Sequence, residues 1–122
     1  MFVNGHAWWS GTYSPLAEPI DFSIGKKITM MVYNPDASNI GKEISMELEW
    51  PVGAGEAQPY GAVVKMPLTT SGEWEMITFD FSTIGTIPNN AQFTQLVFRF
   101  NPDPSQEGTG ETIYFDNITL TN

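Results

Sequence analysis

"KEISMELEW", residues 42–50, alternates with a period of two: Ile44, Met46, Leu48 and Trp50 fall on one side and Glu43, Ser45, Glu47 and Glu49 on the other. Successive side chains of an extended chain point to opposite faces, so this stretch reads as a strand with one apolar and one wet face. A helix would scatter the same residues around its axis. The pattern therefore sets the fold class.

The pattern recurs on both sides of this stretch. In "KKITMMVYN" (26–34), Ile28, Met30 and Val32 share a face, and Asn34-Pro35-Asp36 closes the run as a turn. "GEWEMITFDF" (72–81) sets Ile77, Phe79 and Phe81 against Trp74, Met76, Thr78 and Asp80. "AQFTQLVFRF" (91–100) sends Leu96, Phe98 and Phe100 inward and Gln95, Val97 and Arg99 outward. Adding 60–68, 111–120 and the first segment, 6–13, gives about seven strands joined by Gly/Pro/Asn-rich loops. Helical periodicity is almost absent. The expectation is an all-β fold, a two-sheet antiparallel sandwich or jelly roll, as a single domain over 1–122.

Charge narrows the partners. Fourteen Asp and Glu against five Lys and Arg give a net charge of −9. Such a chain repels a phosphate backbone, so nucleic acid and anionic membrane surfaces are not expected partners. With no cysteine, disulfides and thiol catalysis are excluded.

The quoted strands also carry a resemblance. "GEWEMITFDFSTI" (72–84), "QLVFRFNPD" (95–103) and "GETIYFDNITL" (110–120), with "GHAWWSGTYSPLAEPIDFSIGKKITMMVYNP" (5–35) upstream, resemble the carbohydrate-binding modules appended to bacterial secreted glycanases. The resemblance implies a galactose-binding-like jelly roll, a polysaccharide ligand, a linked catalytic domain and a place outside the cell or on its surface. It also implies a structural calcium, whose C-terminal ligand would match Asp116. Members usually carry a further strand before the "G-x-A-W" segment. This chain starts four residues before Gly5, so that strand is expected to be missing, or its edge to be completed by a neighbouring chain.

Sugar binding needs two chemistries. The C–H face of a pyranose packs on an aromatic ring, and its hydroxyls need Arg, Gln, Asn, Asp or Glu. In "HAWWSGTY" (6–13), alternation splits Trp8 from Trp9: one is expected in the core, and its neighbour is the candidate platform. Tyr13 is a second candidate platform. Trp50 and Tyr60 flank the 51–59 loop as a candidate wall, although Trp50 also continues the core face of its strand. Arg99, the chain's only arginine, shares an outward face with Gln95, and Glu47 or Glu49 on a nearby strand is its expected ion-pair partner. A held guanidinium is also one ready for a ligand.

Glu47 and Glu49, two apart on one strand, stand roughly 6.5–7 Å from each other, which overlaps the spacing of an inverting glycosidase pair. Any E-x-E strand offers that spacing, and no nucleophile motif accompanies it, so a non-catalytic module is expected. His6 alone makes no zinc site. The competing expectation is an assembly or adhesion subunit whose open edge a neighbouring chain completes.

Overall fold

The computed structural model describes the backbone of residues 2–4 and, with side chains, residues 11–51, 61–100 and 112–122. Among these, eight strands form: β1 Phe2–Asn4, β2 Gly11–Pro15, β3 Lys27–Tyr33, β4 Glu43–Glu49, β5 Ala62–Pro67, β6 Trp74–Asp80, β7 Gln95–Phe100 and β8 Thr112–Thr121. They make two four-stranded sheets, β1-β8-β3-β6 and β2-β7-β4-β5, with every pairing antiparallel. That order is a jelly roll, an all-β two-sheet sandwich. The count is one more than the period-two pattern yields. β1 spans only three residues, too few to display an alternation.

The inward positions read from the sequence are the core. Ile28, Met30 and Val32 of β3, Ile44, Met46 and Leu48 of β4, Ile77 and Phe79 of β6, and Leu96, Phe98 and Phe100 of β7 are all buried. Phe98 and Phe115 join the two sheets at their centre, with ring centroids 4.6 Å apart. Such a buried ring contributes about 3–5 kcal/mol, judged by the cost of truncating it to alanine. Phe81, Ile87 and Phe93 from the connecting segments complete the same cluster.

β8 changes parity midway. Ile113 and Phe115 face inward and so do Ile118 and Leu120, because the register against β3 shifts between Thr29 and Met31. Asn117 sits at that bulge with φ 53°, a left-handed conformation that Asn tolerates better than most residues. The bulge leaves Asp116 and Asn117 exposed together on the outer side of the sheet.

Polar side chains stitch the turns. Asp36 and Asp80 cap short 3-10 turns at 37–39 and 81–84, accepting the backbone amides of Ser38 and Ser82, each at 2.9 Å. Asn34 and Asn39 are buried polar residues and satisfy each other. The Nδ2 of Asn34 donates to the Thr70 carbonyl at 3.0 Å, and its Oδ1 accepts from the Asp36 amide and the Nδ2 of Asn39. This tie holds the turn after β3 against the segment before β6.

Candidate functional site

The outer face of the β2-β7-β4-β5 sheet carries the site. Register fixes its grid. Arg99 of β7 lies between Gly11 of β2 and Ser45 of β4, Val97 between Tyr13 and Glu47, and Gln95 between Pro15 and Glu49. Five of the residues expected from the sequence, Tyr13, Glu47, Glu49, Gln95 and Arg99, thus come together on three adjacent strands.

Polar contacts tie the grid together, one along the diagonal and one directly across the strands. The Nη1 of Arg99 donates to the Oε2 of Glu47, a charge-assisted bond. The Nε2 of Gln95 donates to the Oε1 of Glu49 at 2.6 Å. Both partners of the ion pair remain partly exposed, so solvent screening leaves it a net contribution of roughly 0–1 kcal/mol to stability. Its consequence is orientation: it fixes a planar, five-donor group on the sheet surface.

Tyr13 rises beside this network with 63% of its surface exposed. Val97, flanked by Tyr13 and Glu47, is buried and forms a floor. Tyr13 and Val97, with Gly11, Thr12, Glu49, Gln95 and Arg99, line a shallow cavity of about 250 Å³. Gly11 has a specific reason to lack a side chain. A Cβ there would lie 2.4 Å from the Phe98 carbonyl oxygen and 3.0 Å from Cγ of Arg99. Glycine lets the edge strand close onto β7 beside the arginine stem. Gly11, Thr12 and Val97 were not among the expected site residues. Parity alone turns Val97 outward, whereas only the register of β2 on β7 places Gly11 and Thr12 beside it.

Trp50 is a correction. It follows Glu49, so strand parity turns it to the core side, where it is half-buried and packs edge-on to Phe93 with centroids 6.3 Å apart. It does not share the face of Tyr13 and Arg99. Trp8, Trp9 and Tyr60 lie outside the described residues.

Asp116 is exposed on the other sheet, and its Oδ1 accepts the Asn117 amide at 2.8 Å. Among the described residues no three His, Cys, Asp or Glu side chains gather to hold a metal ion.

A larger cavity, about 460 Å³, opens where the 19–26 and 87–92 segments meet, with Asp21, Phe22, Lys26 and Gln92 in its lining. Its aromatic member, Phe22, packs edge-on to Phe93 at 6.0 Å and belongs to the rim of the core. The sheet-face trough combines an exposed ring with ordered polar groups, the pairing that recognition of a pyranose requires, and it is the better candidate. No family model, no curated protein and no solved structure matches the chain.

Proposed function

We propose that this jelly roll is a non-catalytic module that binds a polysaccharide across the outer face of β2, β7 and β4. One observation carries the reading: Tyr13, the Arg99–Glu47 pair and the Gln95–Glu49 pair share one outward sheet face around a shallow cavity. The phenol ring takes the C–H face of a pyranose. The guanidinium, already oriented by Glu47, donates to ring hydroxyls or to a uronate carboxylate. Gln95 and Glu49 supply a neighbouring donor and acceptor.

Such a module needs no reactive group. Linked to a glycanase, it converts encounter with an insoluble substrate into an intramolecular event and raises the local concentration of enzyme. The resemblance of its strands to glycanase-linked modules supports the same reading. A glycan array on the purified chain tests it. The wild type should bind one class of polysaccharide, and Tyr13→Ala with Arg99→Ala should clearly weaken that signal while leaving the melting profile in place.

A further inference from the structure

The opposite sheet carries its own row of rings. Tyr33 of β3 stands opposite both Trp74 of β6 and Tyr114 of β8, so three aromatic side chains line up across three neighbouring strands. Ring centroids are 5.6 Å apart from Trp74 to Tyr33 and 6.5 Å from Tyr33 to Tyr114. Trp74 is 50% exposed and Tyr114 46%, with Met76 open beside them at 65%.

Cross-strand aromatic pairs stabilise a sheet without help from a ligand. Sheet stability does not account for what borders these rings. One pair further along, Met31 stands opposite Met76 and Asp116, and the β8 bulge adds Asn117. Met31, Trp74, Asp116 and Asn117 line a groove of about 220 Å³. It has an apolar floor, an indole wall, a carboxylate acceptor, and an amide that both donates and accepts. The next row, Thr78, Thr29 and Thr119, is polar.

Area decides the kind of occupant. An aromatic side chain presents about 150–250 Å², so the exposed fractions of Trp74 and Tyr114, with Met76, offer on the order of 300 Å². A stable protein partner covers roughly 800 Å² per side. The patch suits a ligand one chain wide. Asp116 and the net charge of −9 favour a neutral one.

We infer that the outer face of β6, β3 and β8 is a second glycan site, binding a neutral polysaccharide chain along the Trp74–Tyr33–Tyr114 row with Asp116 and Asn117 as hydroxyl partners. The inference rests on the polysaccharide-binding reading above. Because the two faces point away from each other, one module would hold two chains and cross-link them.

Native gels cast with mixed-linkage β-glucan, xylan, laminarin or mannan provide the test. The Tyr13→Ala/Arg99→Ala double variant should keep part of the wild-type retardation in one of these gels. Adding Trp74→Ala or Tyr114→Ala should abolish it, with a fall of about tenfold in apparent affinity for either change alone. If both single variants migrate as wild type in every gel and every background, the second site is overturned and the first stands. If the wild type itself is not retarded by any of the four, the second site is overturned, and the first face is judged on charged chains such as alginate. Should the variants unfold, the indole N–H resonance of Trp74 in the ¹⁵N-labelled wild type decides: a shift on adding the retarding polysaccharide supports the site, and no shift overturns it.

Discussion

Arg99 on β7 reaches diagonally across the sheet to Glu47 on β4, past Ser45, its register partner, and the two side chains pair on the outer face. The pair is partly exposed, so its contribution to folding is small, while its effect on where the guanidinium points is large. Binding and stability should therefore respond differently to the same substitutions. Glu47→Gln should leave the melting temperature nearly unchanged and weaken polysaccharide binding several-fold. Arg99→Ala removes charge-assisted bonds of about 1.5–3 kcal/mol, a loss of roughly 10- to 100-fold in affinity. Arg99→Lys should not restore it, because an ammonium lacks the planar fork. Calorimetric titration beside thermal melts separates the two effects.

Tyr13 lies on an edge strand with most of its ring in solvent, so it has little to lose in folding. Tyr13→Ala should cost about 0.5–1.5 kcal/mol of binding, up to roughly tenfold, by removing a stacking surface. Tyr13→Phe, which keeps the ring, should bind nearly as well as the wild type. Titration of the two variants against the retained polysaccharide checks the order.

Asn34 answers to stability alone. Its side chain satisfies the Thr70 carbonyl, the Asp36 amide and the Nδ2 of Asn39 in a buried position. Asn34→Ala strands these groups, and stranded buried polar groups cost about 1–3 kcal/mol. Denaturant unfolding should show that loss, and binding measured well below the transition should be unchanged.

Asp80 gives the fold an acid dependence. The Ser82 hydroxyl, then the Ser82 backbone amide, with the Lys27 charge adding, hold its carboxyl below the ordinary aspartate value despite a small opposing effect of burial. A folded-state pKa below the unfolded one adds stability that is present above the unfolded value and disappears as pH falls through the folded value. Wild type and Asp80→Ala should therefore melt apart at neutral pH and converge in acid below the usual carboxylate range. A constant gap down to that range would contradict the assignment.

Strand parity made much of this legible in the sequence. Alternation in "KEISMELEW" and "AQFTQLVFRF" separates Glu47, Glu49, Gln95 and Arg99 from Ile44, Met46, Leu48, Leu96 and Phe98 without any knowledge of neighbours. The order of strands is a different kind of information. β2 and β7 lie some eighty residues apart in the chain and meet side by side, so Gly11 beside Arg99 is visible only in the register. The same holds for Tyr33, Trp74 and Tyr114, three rings on strands distant in sequence that form one row. Trp50 shows parity outweighing proximity: it flanks a loop, yet its place after Glu49 turns it onto Phe93. The β8 bulge breaks strict alternation at Asn117, which no period-two reading registers.

The most direct test of the polysaccharide reading is affinity electrophoresis of the wild type beside Tyr13→Ala/Arg99→Ala. The gels should hold β-1,3- and β-1,4-glucans, xylan, mannan, alginate and galactans, each run with calcium and with chelator. One class of polysaccharide should retard the wild type, and the double variant, equally well folded, should run clearly ahead of it. Equal mobility of the two proteins in every gel would contradict it, and would turn attention to this sheet face as part of an assembly interface.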